Sequence, residues 1–166
     1  MRLIAITLFL FMNCSLQAAL HTWKGGTGNY TDPTQWDIGT VPTASDDVFI
    51  PSGTVIFPAS GLYEANNFQM DGGTLDFQGT SLNAADINIY GDLEIALGVT
   101  TIYDTNSAAT WFFMGSGVNH IVNCKGVDLN KIYLDDDDSQ VELTTDLTSL
   151  RTINIKNGTF DTNGYS

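Results

Sequence analysis

Basic residues are the scarcest feature of this 166-residue chain: six Lys and Arg stand against 19 Asp and Glu, a formal charge of −13. That deficit makes nucleic acid and anionic lipid surfaces poor partners, because their affinity rests on Lys and Arg neutralising phosphates. Cysteine is nearly as rare, at two residues, Cys14 and Cys124, and histidine occurs only as His21 and His120. A zinc centre needs three or four Cys or His ligands close together, which positions this scattered do not offer. No Gly-x-Ser-x-Gly elbow, phosphate loop or dinucleotide fingerprint is present. After residue 18 no window carries the 3.6-residue apolar stripe of a helix over ten positions, so helix is expected to be scarce.

The one long apolar run, Leu3 to Met12, follows Arg2 and is closed by Leu16-Gln17-Ala18-Ala19. A positive start, a short apolar segment and a small-residue exit predict an export signal over residues 1–18, cleaved after Ala18 or Ala19. About ten apolar residues are too few for a membrane helix, which needs roughly 20, so no membrane span is expected. Cleavage would remove Arg2 and Cys14. The remainder holds five basic residues against 19 acidic ones, a formal charge of −14, and a single thiol. An intramolecular disulfide is then excluded in a compartment where one would ordinarily help, and Cys124, within Ile121-Val122-Asn123-Cys124, reads as a buried inert thiol. Stability must come from packing and backbone ladders.

What is abundant is alternation. Six pairs of apolar residues recur, Val48/Ile50, Phe68/Met70, Ile87/Ile89, Trp111/Phe113, Ile132/Leu134 and Ile153/Ile155, their first members 20, 19, 24, 21 and 21 residues apart. The interval suits one coil of a stacked β-solenoid. Residues 68–81 also match residues 153–166 at an offset of 85, close to four coils of about 21. Within that unit the apolar positions change parity at Gly72-Gly73 and at Asn157-Gly158, which a strand can do only by turning a corner. Each coil is therefore expected to run strand, glycine corner, strand, looser return. Residues 19–46, rich in Gly and aromatic side chains and punctuated by Asp32-Pro33 and Val41-Pro42, predict an N-terminal cap. Residues 47–166 predict the coils, expected to continue past Ser166. The fold class is all-β: a right-handed parallel β-helix with an N-terminal β-rich cap, its hand taken from the usual chirality of parallel crossovers.

Trp23-Lys24-Gly25-Gly26, Asp32-Pro33-Thr34-Gln35-Trp36, Val41-Pro42 and Asp46-Asp47-Val48-Phe49-Ile50-Pro51-Ser52-Gly53 resemble the opening of large secreted, adhesin-like bacterial surface proteins with parallel β-helix repeats. Thr110 to Gly117, Leu129 to Ile132 and Gly158 to Asp161 are similar to their repeats. The resemblance covers nearly all of residues 22–166. It implies secretion and the β-helix, and that such chains run on for hundreds of residues, often to an outer-membrane sorting domain.

Several constellations are candidates for chemistry. Asp135-Asp136-Asp137-Asp138 places four carboxylates side by side, either as a solvated turn or as a Ca2+ site; Ca2+ takes six to eight oxygen ligands, but the EF-hand spacing is missing. Asp46-Asp47 enters a strand, where neighbouring side chains point to opposite faces, so a turn role is expected over a paired acid and base. Trp23, Tyr30 and Trp36 either plug the end of the core or offer rings on which sugars stack. Asn29-Tyr30-Thr31 and Asn157-Gly158-Thr159 fit the N-glycosylation pattern. A lyase acting on acidic polysaccharide needs a basic residue and a cation beside the uronate, and the mature chain has one arginine and a strongly negative field.

The sequence thus predicts a secreted or cell-surface rod without catalysis or resident cofactor, presenting repeated loops to extracellular polysaccharide or protein. The competing reading is a carbohydrate-binding module, Ca2+-assisted or not, using Trp23, Tyr30 and Trp36 or the Asp135–Asp138 loop. A polysaccharide-active β-helix enzyme is the third.

Overall fold

The structure, a computed structural model, describes residues 18–78, 85–103, 109–147 and 151–166. The export signal expected over residues 1–18 lies, but for Ala18, outside the described residues.

Strands of three or four residues alternate inward and outward side chains, and each ends where the chain turns a corner. Each of the three coils over residues 47–113 has three sides, all built by strands. The first is built by β1 (Leu20–Thr22), β3 (Asp47–Ile50), β6 (Phe68–Met70), β9 (Leu93–Ile95) and β12 (Asn119–Asn123). The second is built by β2 (Thr27–Asn29), β4 (Thr54–Phe57), β7 (Thr74–Phe77) and β10 (Thr100–Tyr103), and the third begins with β5 (Leu62–Ala65), β8 (Asp86–Ile89) and β11 (Thr110–Phe113). Then β13 (Lys131–Leu143) starts on the third side beside β11 and ends on the first beside β12, and β14 (Thr152–Asp161) lies along it. All of these pairings are parallel, and the chain makes about six turns of about 23 residues.

The expected grammar is corrected in one respect: the return is a third strand. The six apolar pairs consequently lie on two sides. Val48/Ile50 and Phe68/Met70 stack on the first side, where Phe68 is followed by Leu93. Ile87/Ile89, Trp111/Phe113, Ile132/Leu134 and Ile153/Ile155 stack on the third. The step from Phe68 to Ile87 therefore runs from side to side within one coil. Residues 68–81 and 153–166 likewise resemble each other as strand–corner–strand units at different corners.

The corner between the first and second sides depends on glycine. Gly26, Gly53 and Gly73 have φ of 81°, 105° and 101°, a region that side chains with a Cβ rarely enter. They also stack closely. The amides of Thr54 and Thr74 donate to the carbonyls of Gly26 and Gly53 at 2.7 and 2.8 Å. A Cβ at Gly53 would come within 2.5 Å of the Gly26 carbonyl oxygen, and one at Gly73 would overlap that of Gly53.

Inward residues form columns along the rod. On the second side Tyr30, Phe57, Phe77 and Tyr103 stack ring on ring, with centroids 5.2, 4.8 and 5.0 Å apart. Trp111, on the third side, meets Phe77 edge-on at 5.9 Å. Each fully buried Val, Leu, Ile or Phe contributes about 1.5–3 kcal/mol by leaving water. Parallel strands and apolar columns together hold the coils, and Cys124 is buried among them as a free thiol.

The N-terminal end is closed by residues 30–46. After Tyr30 the chain makes a short 3-10 turn, Pro33–Gln35, started by the Asp32 carboxylate accepting from the Thr34 amide at 2.9 Å. It then returns across β1. Gln35 accepts from the Lys24 amide at 2.9 Å, while Asp37 donates its amide to the Thr22 carbonyl and accepts the Thr22 amide on its carboxylate. These bonds satisfy edge groups that would otherwise recruit a foreign strand. At the other end, the inward Ile153 and Ile155 of β14 are 40% and 41% exposed.

Candidate functional site

The aromatic residues of the cap lie inside. Trp23, Tyr30 and Trp36 are each at most 1% exposed. Trp36 stands edge-to-face against both Trp23 and Tyr30 at 5.1 Å, and its Nε1–H donates to the Tyr30 carbonyl at 2.8 Å. The Tyr30 hydroxyl donates to the Glu64 carbonyl at 2.7 Å, and burial drives its phenol far above the ordinary range. In this arrangement the three rings are packed against one another and the core, and turn no free face to a ligand.

The aspartate run forms the corner inside β13, where the pairing with β14 shifts register. Its carboxylates diverge. Asp135 receives Lys156 Nζ at 2.8 Å and Asn157 Nδ2 at 2.9 Å, the Lys156 hydrogen bond first of all holding its carboxyl below the usual range. Asp136 instead accepts the Gly115 amide of the preceding coil at 2.7 Å. Asp137 and Asp138 are exposed, and Asp138 takes a φ of 62°. Among the described residues no three His, Cys, Asp or Glu side chains converge in a way that could hold a metal ion.

Asp46 and Asp47 also part. Asp46 closes a turn onto the Thr43 amide and hydroxyl at 2.9 and 2.6 Å, with His21 Nε2 at 3.5 Å. Burial pushes its carboxyl up, but the Thr43 hydrogen bonds and His21 outweigh this and leave it below its ordinary value. Asp47 accepts from Asn66 Nδ2 and Asn67 Nδ2, both at 2.9 Å. Asn67 in turn accepts the Asp92 amide, and Asp92 the Ile121 amide, each at 2.8 Å. This side-chain ladder ties four successive coils together at one corner.

Burial pushes the Cys124 thiol far up, which suits an inert core residue. His120 is fully buried. Its Nδ1 lies 2.6 Å from the Gly91 carbonyl, an acceptor only, so that nitrogen carries the proton. Among the described residues its Nε2 has no hydrogen-bond partner.

Surface depressions of about 420 and 370 Å3 lie beside Lys125, Asp146 and Tyr165 and beside Leu20, Asp47 and Phe49. Among the described residues, Asp146 is the carboxylate lining the first and Asp47 the one lining the second.

A different surface was missed in the sequence. On the outer face of the third side, Glu64, Asn88, Phe112, Tyr133 and Asn154 form one outward column by register. The rings of Phe112 and Tyr133 are neighbours at 5.1 Å, and Tyr90 stands alongside with its hydroxyl 3.3 Å from Glu64 Oε1. The signal was available: Trp111-Phe112-Phe113-Met114 is apolar at both parities, whereas a strand with one wet face should alternate. The alternating-pair pattern draws only on the inward residues Trp111 and Phe113.

Comparison of the chain with protein families, with curated proteins and with solved structures gives no match.

Proposed function

We propose that the protein is an exported, non-enzymatic surface rod whose stacked coils carry adhesive contacts. The observation that carries this reading is the register: coil after coil places outward side chains in columns along a stiff axis. Weak contacts repeated along such an axis add through multivalency. The acidic surface supports solubility outside the cell and disfavours polyanionic ligands. The leader-like residues 1–18 support export to the cell surface or medium. The Asp135–Asp138 corner, already engaged by Lys156, Asn157 and the Gly115 amide, favours a structural turn with no resident Ca2+.

The test is expression of the chain with and without residues 1–18 in a bacterial host, followed by fractionation and adhesion of the producing cells to extracellular matrix polysaccharide and protein. Protein outside the cytoplasm, dependent on the leader and promoting attachment, is the expected result. Cytoplasmic retention of the full chain would remove the reading. A second reading, a carbohydrate-binding module, is favoured by the outward aromatic rings of the third side.

A further inference from the structure

We infer that the outer face of the third side, centred on Phe112 and Tyr133, is a binding surface for a neutral saccharide. This rests on the reading of the rod as a binding scaffold and names the ligand class for one of its faces.

The argument starts from a broken rule. Strand β11 alternates in burial, with Trp111 and Phe113 fully inside, yet its outward residue is Phe112 and the residue after the strand is Met114. Two outward apolar residues on the same wet face break the alternation expected of such a strand. Parallel register then sets the Tyr133 ring beside that of Phe112, and Tyr90, Phe112, Met114 and Tyr133 are all half-buried. Together they form a small outward cluster of rings, with Phe112 and Tyr133 centroids 5.1 Å apart, rimmed by polar groups.

Size, shape and charge select the occupant. Four half-covered side chains expose on the order of 200 Å² together, given the area of an aromatic ring. A stable protein partner needs roughly 800 Å² on each side, so the patch is too small to hold one by itself. It is a sheet face and does not enclose a cofactor as a cleft would. The chain's negative charge repels polyanions. The rim consists of hydrogen-bonding groups: Glu64 and Asn88 on one flank, Asn154 and Asp135 on the other, with Asp135 lying 3.4 Å from the Tyr133 hydroxyl. Ring faces for the C–H side of a pyranose, with amides and carboxylates for its hydroxyls, are the chemistry of neutral sugar recognition. Strands follow one another at about 4.8 Å, so the two neighbouring rings would lie beneath about one sugar unit, with Asn88 and Asn154 one coil further along on either side.

The experiment is calorimetric titration of the isolated protein with β-1,4-linked glucose and N-acetylglucosamine hexasaccharides, with polygalacturonate as the charged control. Binding of at least one neutral hexasaccharide, and none of polygalacturonate, is expected. Phe112→Ala and Tyr133→Ala should each weaken it by about threefold to tenfold, in line with the worth of one aromatic contact, without altering the circular dichroism. Phe112→Tyr, which keeps the ring, should bind as the parent does and guards against misfolding of the alanine forms. The inference is overturned if neither neutral sugar binds, if both alanine variants bind unchanged, or if the patch mediates self-association that Phe112→Ala abolishes. Because the assay uses isolated protein, failed export or attachment in cells leaves its outcome untouched.

Discussion

Replacing Phe77 by Ala tests whether the column of rings on the second side holds the rod together. Phe77 is fully buried, lies face-on between Phe57 at 4.8 Å and Tyr103 at 5.0 Å, and meets the edge of Trp111 at 5.9 Å. A buried Phe→Ala change costs about 3–5 kcal/mol through lost transfer energy and the cavity left behind. Ring pairs are worth about 0.5–1.5 kcal/mol each beyond their area, and three are lost here, which places the expectation in the upper part of that range. Against a total stability of about 5–15 kcal/mol, this is a large share. Urea unfolding followed by tryptophan fluorescence reads it, Trp111 serving as a reporter in contact with the site. Phe77→Leu restores most of the volume without the stack and should cost less than half as much. A loss below about 1 kcal/mol for the Ala variant, on the scale of an ordinary surface change, would refute the reasoning.

Other outcomes follow from the corners, the cap and the buried histidine. Gly73→Ala combines a positive φ with overlap on the Gly53 carbonyl, while Gly98→Ala meets open space at a φ of 94°; thermal melts should show the first as clearly the more damaging, the second costing about 1 kcal/mol. Trp36→Ala removes the ring that Trp23 and Tyr30 pack against; a loss of about 3–5 kcal/mol is expected, with aggregation on light scattering as the β1 edge is freed. His120 is held neutral chiefly by burial, against the opposing Gly91 hydrogen bond and the carboxylates of Asp92 and Asp136, so its native pKa lies below the unfolded value of about 6.5. Above that value the two states bind the same protons. As pH falls below it, the unfolded chain takes up a proton that the native state refuses, and stability is lost down through the native pKa. Urea titrations at pH 7.5 and 5 should show this component in the parent and not in His120→Gln.

The solenoid was legible because its cause is written residue by residue: alternating pairs such as Ile132/Leu134 and parity changes at Gly72-Gly73 need only period-2 geometry. The number of sides was not. Phe68/Met70 and Ile87/Ile89 look like successive coils because strands on every side share one pattern, and only the hydrogen-bonded register of Phe68 with Leu93 separates them. Burial of Trp23, Tyr30 and Trp36 was one of two readings open to aromatic residues in a glycine-rich segment. Asp135 to Asp138 drew attention as a local run, but their partners, Lys156 and Gly115, lie about one coil away in sequence. Phe112 and Tyr133 were passed over for the same reason: their proximity arises from stacking, and neither residue is unusual until it is seen to point outward.

The central claim, that coils lie directly above one another, is tested by spin-label distances among Thr54, Thr74, Thr27 and Thr100, each replaced by Cys in pairs while the buried Cys124 stays unlabelled. These residues share one outward column on the second side. Separations should lengthen in equal steps of about 4.8 Å per coil, from the 54/74 pair to about 14 Å between the backbones of 27 and 100. Separations that fail to follow coil number, with 54/74 no closer than 27/100, would contradict the stacked solenoid.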